Sequence, residues 1–265
     1  MQALNENVLS ENVLSEREVK QNVQHIMEEV RQAAVSAGRN PDDVQVMAVT
    51  KTVDPVLVNA AIEQGITLLG ENKAQELCSK YDSYHKEGVS IHFIGHLQTN
   101  KVKQIVDKVC MIESVDSIKL AKEIDKHCAA IDKVMDALIE VNIGREENKT
   151  GIFPEEVEHL LEEIAKLEHV RVRGMMTIPP VCENKEEVSQ YFSRMSQLFI
   201  DIKQKKYDNI NMEILSMGMS ADYPTAVRYG SNIVRIGTAM FGAPQSSFRS
   251  GIQIRWHWFL LQKRH

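Results

Sequence analysis

The chain contains 265 residues, of which 43% are hydrophobic, and it has only 13 glycines and 7 prolines. This composition fits one ordinary globular domain. The formal net charge of −6 argues against a nucleic-acid-binding protein, because such proteins normally present a basic face.

The sequence predicts neither secretion nor a membrane span. Its amino terminus is acidic and lacks the basic segment and apolar core of a secretory signal. No run approaches the roughly 20 apolar residues that a membrane-spanning helix needs. The four cysteines lie far apart and form no CxxC pair, which favours reduced thiols. We therefore predict a cytoplasmic protein.

The first predicted element is a helix that follows a duplicated segment. The pentad Glu-Asn-Val-Leu-Ser occurs twice in tandem and predicts a frayed terminus over residues 1–15. Ser15 and Glu18 have the spacing of a capping box. The apolar residues that follow recur at helical spacing as far as Gly38, which predicts an amphipathic helix.

From residue 44 onward, short apolar runs alternate with helical patterns. Eight runs read as strands, at residues 44–50, 66–71, 90–95, 111–116, 135–143, 170–178, 213–219 and 232–242. This regular alternation is typical of a parallel sheet with crossover helices. The strand count predicts an α/β fold, a single (β/α)8 TIM-type barrel over residues 16–244 with an extra N-terminal helix.

The stretch 213–242 contains the strongest indication of a ligand. Its two apolar runs each break into Ser, Gly and Thr, and Arg235 lies two residues before Gly237. In such barrels, phosphate is often bound after strands 7 and 8. We therefore expect Ser216 and the backbone of Gly237 and Thr238 to hold a phosphate group.

Lys51 ends the first strand and is thus expected at the barrel mouth. Partial desolvation and the like charge of Arg235 would both lower the pKa of its amine. A neutral amine can attack an aldehyde and form a Schiff base. An ordinary solvated lysine in a loop is the alternative interpretation.

Lysine, phosphate cradle and arginine together suggest pyridoxal 5'-phosphate (PLP) as the cofactor. Lys51 would receive the aldehyde, and Arg235 would face the pyridine nitrogen. Because arginine is always charged, it donates to an unprotonated ring nitrogen and weakens the ring as an electron sink. Such a site would bind the cofactor and restrain its chemistry.

Several motifs of the sequence resemble those of the pyridoxal phosphate homeostasis protein family. The matching motifs are AVTK (48–51), GENKAQE (70–76), HFIGHLQTNK (92–101), GMMTI (174–178), LSMGMSAD (215–222) and VRIGTAMFG (234–242). They appear in order and cover essentially residues 20–244. The resemblance implies a PLP-binding barrel like the amino-terminal domain of alanine racemase.

The resemblance also implies individual residue roles. Lys51 would be the Schiff-base lysine, Arg235 would contact the pyridine nitrogen, and Asn72 would lie near the ring. Ser216, Gly237 and Thr238 would bind the phosphate. Family members are regarded as carriers or regulators of vitamin B6, so apo PLP-dependent enzymes are the expected partners of a monomer or weak dimer.

Two enzymatic alternatives use the same site. One is a PLP-dependent amino-acid racemase, and the other is a class I aldolase acting on a phosphorylated sugar. Racemases of this fold take a second base from an additional β-domain, for which the segment after Gly242 is too short. We therefore expect no established catalytic turnover of amino acids.

Two further features carry weaker indications. His92 and His96 could bind zinc, but they lack an obvious third ligand, so packing or hydrogen bonding is favoured and no metal is predicted. The tail 245–265 is atypical of the family. Its alternating apolar residues suggest an added strand, a partner or membrane-surface contact, or simply an unusual terminus.

Overall fold

Eight parallel strands pair in chain order and close into a barrel in the computed structural model of the chain. The structure describes residues 14–182, 184–205 and 207–243. The first and last strands also pair, with Met47 opposite Arg235. The predicted (β/α)8 barrel is thus confirmed. The predicted tail 245–265 and residues 1–13 of the predicted frayed terminus lie outside the described residues.

The strands follow the predicted order, and the largest difference in their bounds lies at the end of the last strand. They are β1 (Gln45–Val49), β2 (Leu68–Glu71), β3 (Ser90–Phe93), β4 (Met111–Val115), β5 (Met135–Glu140), β6 (Val170–Met176), β7 (Ile210–Met219) and β8 (Ile233–Ile236). The prediction extended the last strand to Gly242, which is wrong. At Gly237 the backbone leaves the extended conformation, with φ −115° and ψ −79°, and a short helix follows.

Helices surround the barrel. They are α1 (Glu16–Ser36), α2 (Pro55–Ile62), α3 (Ala74–Lys80), α4 (Val102–Ile105), α5 (Ile118–Ala129), α6 (Val157–Ile164), α7 (Lys185–Lys203), α8 (Tyr223–Arg228) and α9 (Thr238–Phe241). Most of them connect successive strands, whereas α1 precedes β1 and α9 follows β8. The predicted capping box at Ser15 and Glu18 is present. The apolar face of α1 is buried, and this extra helix packs against α2, α8 and α9. Within the described residues, no helix combines the length and apolarity that a bilayer span requires.

The hydrophobic core lies mainly between the barrel and its helices. Inside the barrel are two smaller apolar clusters, one formed by Met47, Leu68, Ile94 and Ile233, the other by Met111, Leu138 and Met176. Successive strand residues point to opposite faces of the sheet. The inward positions that neighbour these clusters on β3, β4, β7 and β8 are polar, and they build the central part of the candidate site.

Candidate functional site

Lys51 lies two residues beyond the end of β1, at the carboxyl end of the barrel. Its side chain is exposed, so the partial desolvation expected from the sequence is wrong. The next residue, Thr52, has a left-handed φ of 60°, an uncommon conformation for a residue with a β-branched side chain. The carboxylate of Glu76 accepts a hydrogen bond from the Thr52 N–H and pairs with the Lys80 ammonium. These contacts fix the loop that presents Lys51.

Lys51, Gly237 and Thr238 line one cavity of about 510 Å³. The cavity lies where the ends of β1 and β8 adjoin, and the start of α2 forms another wall. Lys80 also lines it. The structure therefore brings together three of the six predicted site residues.

Ser216 lies apart from this cavity. Its side chain is fully buried in the barrel interior, where the hydroxyl donates to Oε2 of Glu113 at 2.7 Å and accepts from Nη1 of Arg235 at 2.6 Å. Both interactions engage the hydroxyl away from Gly237 and Thr238. The structure therefore does not place Ser216 beside the backbone with which it was predicted to share a phosphate.

A different serine, Ser220, lies beside that backbone. Its Oγ accepts hydrogen bonds from the N–H groups of Gly237 at 3.3 Å and Ala239 at 3.2 Å. Asp222 supports the loop that carries Ser220 by accepting a hydrogen bond from the Met219 N–H at 2.6 Å. The sequence analysis assigned no role to Ser220, although it belongs to the same LSMGMSAD motif.

Arg235 is almost completely buried on β8, with only 3% of its surface exposed. Besides the Ser216 contact, its Nη2 donates to the backbone oxygen of Thr177 at 2.7 Å. On the far side of Ser216, Oε1 of Glu113 lies 2.7 Å from Nδ1 of His92. Arg235, Ser216, Glu113 and His92 thus form a continuous hydrogen-bonded chain, which we call the interior chain.

Burial and pairing oppose each other in the interior chain. Burial alone would lower the pKa of His92, but its contacts with Cys110 and Glu113 outweigh that effect and raise the pKa to about 9. Burial alone would raise the pKa of Glu113, yet His92, Arg235 and Ser216 hold it below its usual value. Both side chains are therefore charged at neutral pH. The expectation that His92 forms hydrogen bonds is confirmed.

Asn72 continues the inward-facing alternation of β2 beyond the end of the strand. Its Oδ1 is buried and has no hydrogen-bond partner among the described residues. Gly95 allows the backbone of Asn72 to lie close to it, since a Cβ on Gly95 would be 2.1 Å from the backbone oxygen of Asn72. Buried polar atoms normally have partners, so this amide is available to a ligand.

Two more buried polar atoms without partners belong to β4 and β5. They are Oγ of Ser114 and Oε2 of Glu140, whose other carboxyl oxygen accepts from Thr150. Burial raises the pKa of Glu140. Glu71, whose Oε2 also has no partner among the described residues, faces the helices instead, where Thr50 and Tyr84 donate to its Oε1. Neighbours in the GENKAQE motif thus serve different sides of the barrel.

Known proteins share this architecture and sequence pattern. The family described as alanine racemase, N-terminal domain, matches residues 19–245. The pyridoxal phosphate homeostasis protein of Aquifex aeolicus is 40% identical over 222 residues, which are 84% of this chain and 96% of the relative. The chain belongs to the pyridoxal phosphate homeostasis protein family.

Solved structures of similar proteins agree with that membership. An unknown protein from Bifidobacterium adolescentis has a TM-score of 0.82 and 31% identity, covering 88% of this chain and 99% of its own. PipY of Synechococcus elongatus, solved with PLP bound, has a TM-score of 0.70 and 27% identity, covering 81% and 100%. The resemblance found in the sequence motifs is confirmed.

Proposed function

We propose that this member of the homeostasis family binds PLP reversibly at the barrel mouth and acts as a carrier or buffer of the cofactor. The observation that supports it best is the cavity that Lys51 shares with Gly237 and Thr238. Arg235 lies on β8, two positions before Gly237, so a guanidinium lies near the same end of the barrel.

The residues present fit the chemical groups of PLP. When bound, PLP supplies an aldehyde that condenses with a lysine amine to an imine with loss of one water molecule. Lys51 is the exposed amine of the cavity, whereas Lys80 is engaged by Glu76. We assign the covalent attachment to Lys51.

The phosphate and the ring have separate candidate partners. We assign the phosphate to the backbone at Gly237 and Thr238 and to the hydroxyl of Ser220. This hydroxyl accepts hydrogen bonds from the N–H groups of Gly237 and Ala239, so its own hydrogen can be donated to an anion. We assign the ring nitrogen to Arg235, which has N–H groups beyond the two used by Ser216 and Thr177. We assign Asn72 to the neighbourhood of the ring, because its buried amide oxygen has no partner among the described residues.

Three finer aspects belong to the same proposal. Curated relatives are named homeostasis proteins, which agrees with a role without established turnover. We expect apo PLP-dependent enzymes to receive the cofactor from a monomer or weak dimer. All four cysteines are free thiols, as is typical of the reducing cytoplasm, where we place the protein.

Reconstitution with PLP tests the assignment of Lys51. We expect an absorbance band at the edge of the visible region that Lys51→Ala abolishes. Borohydride reduction followed by peptide mass spectrometry should then locate the adduct on Lys51 and not on Lys80, the lysine that lines the same cavity. An adduct on Lys80 in the wild-type protein would contradict the assignment.

A second measurement separates a carrier from an enzyme. The PLP-loaded protein is incubated in heavy water with single enantiomers of amino acids, and exchange of the α-proton is followed by NMR. We expect no exchange above that of free PLP. Rapid exchange in proportion to protein concentration would favour the racemase alternative.

A further inference from the structure

The interior chain has a fixed direction for every hydrogen. Arginine can only donate, so the Arg235 N–H points to Oγ of Ser216, and the Ser216 hydroxyl must give its own hydrogen to Glu113. The pKa of His92 is raised to about 9 and that of Glu113 is held below its usual value, so Glu113 accepts as a carboxylate and Nδ1 of His92 donates to its other oxygen. Each side chain leaves its neighbour a single arrangement.

The guanidinium of Arg235 is held at two separate points. Ser216 on β7 accepts from Nη1, and the backbone of Thr177, which follows β6, accepts from Nη2. Because the guanidinium is planar, two acceptors on different nitrogens fix both its position and its plane. The backbone acceptor is held in place by the chain just after β6, whereas the Ser216 hydroxyl is oriented by Glu113.

Glu113 is also a buried counter-charge of Arg235 within the barrel. The charged and titratable groups that face the interior chain are Cys110 beside His92 and, beyond Arg235, Glu140 and Asp222. Burial raises the pKa of both Glu140 and Asp222, which favours their neutral forms. Glu113 is fully buried and is the carboxylate joined to Arg235 through one hydroxyl.

We propose that Glu113 is a positioning residue for the cofactor site, which orients Ser216 and thereby aims the Arg235 guanidinium at the ring nitrogen of PLP. This inference rests on the proposed function. Glu113 does not itself touch the cofactor in this scheme. It determines how well Arg235 distinguishes a ring with a nitrogen acceptor from one without it.

The deaza analogue of PLP, in which a C–H group replaces the ring nitrogen, provides the probe. It keeps the aldehyde and the phosphate, so only the contact with Arg235 changes. The dissociation constants of PLP and the analogue are measured by fluorescence titration for each variant. In the wild-type protein we expect PLP to bind about tenfold more tightly, as one charge-assisted hydrogen bond would give.

Three variants separate positioning from general damage. Glu113→Gln and Ser216→Ala should reduce the tenfold preference to about twofold or less. Glutamine offers Ser216 either a donor or an acceptor and so no longer fixes the direction of its hydroxyl, whereas Ser216→Ala removes the acceptor of Arg235 itself. Ser231→Ala is the matched control, because Ser231 is another fully buried serine that joins β7 and β8 through its hydroxyl without touching Arg235. It should keep the wild-type preference.

Each outcome either supports or overturns the inference. A folded Glu113→Gln protein that keeps the wild-type preference overturns it, as does a Ser231→Ala protein that loses the preference equally. If Glu113→Gln does not fold, Ser216→Ala decides by the same criterion. A wild-type protein that binds PLP and its analogue equally well overturns the ring-nitrogen role of Arg235, whereas no binding of either overturns the proposed function.

Discussion

Two parts of the candidate site are built on opposite principles. One is the interior chain, and the other is the rim at the carboxyl end of the barrel, which comprises Lys51, Ser220 and Thr238. At the rim, Lys51 and Thr238 are exposed, and the contacts of Ser220 are long. In the interior chain, Arg235 and Glu113 are buried, and successive contacts measure 2.6–2.7 Å. Exposed groups can exchange a ligand for water, whereas buried charges can hold only one arrangement at low cost. The rim is therefore suited to binding and release, and the interior chain is suited to orientation.

The largest expected effect tests whether the interior chain depends on charge. Glu113→Ala should reduce the free energy of unfolding by about 3–5 kcal/mol, because it leaves Arg235 and His92 as buried cations without their carboxylate. Urea unfolding would measure the loss.

Glu71→Ala provides the control for that measurement. Glu71 is equally buried, but burial raises its pKa and favours the neutral acid. Its removal creates a similar cavity and should cost only about 1–3 kcal/mol. Equal losses for the two variants would show that volume, rather than charge, controls the stability of the interior.

The pH dependence of stability tests the same chain through His92. Its pKa rises from 6.5 to about 9 on folding, so its contribution is complete below pH 6.5 and is lost as the pH rises through 9. The contribution amounts to about 3 kcal/mol. Unfolding free energies measured across this range should fall accordingly.

The variant His92→Gln should flatten that decline, since glutamine does not titrate. The neighbouring thiol Cys110 acts in the opposite direction, because its contact with His92 lowers its pKa in the folded protein. An equally steep decline in His92→Gln would assign the pH dependence to another group.

The smallest expected effect concerns the rim. Ser220→Ala should weaken the contribution of the phosphate by about 1 kcal/mol, or roughly fivefold, because one hydroxyl donor is lost. The ratio of the dissociation constants of pyridoxal and PLP isolates this contribution. Ser216→Ala should leave the ratio unchanged, and the reverse result would restore the phosphate to Ser216.

The two serines of the LSMGMSAD motif show where sequence reasoning stops. Both follow apolar residues of one run, and both could end a strand. In the structure the register of β7 and β8 shifts between Ser216 and Met219, so β7 has one more residue than β8 over this stretch. Ser216 consequently remains within the sheet and faces the interior, while Ser220 reaches the rim. A pairing irregularity of this kind has no counterpart in composition or spacing.

The contacts of the interior chain were not predicted from the sequence, for a different reason. Glu113 and Ser216 are 103 positions apart, and neither lies in a pattern that names the other. His92 was recognised as a hydrogen-bonding residue, but its partner was not. The long-range contact exists only because the closed barrel brings the inward faces of β4 and β7 together.

The sequence by itself determined the barrel and the position of Lys51 at its mouth, because strand alternation sends carboxyl ends to one side of a parallel sheet. Motif order also determined the family. Only the tertiary structure decided that β8 ends at Ile236, that Ser220 adjoins Gly237, and that Glu113 accompanies Arg235. These depend on register and barrel closure, which bring together side chains that are distant along the chain.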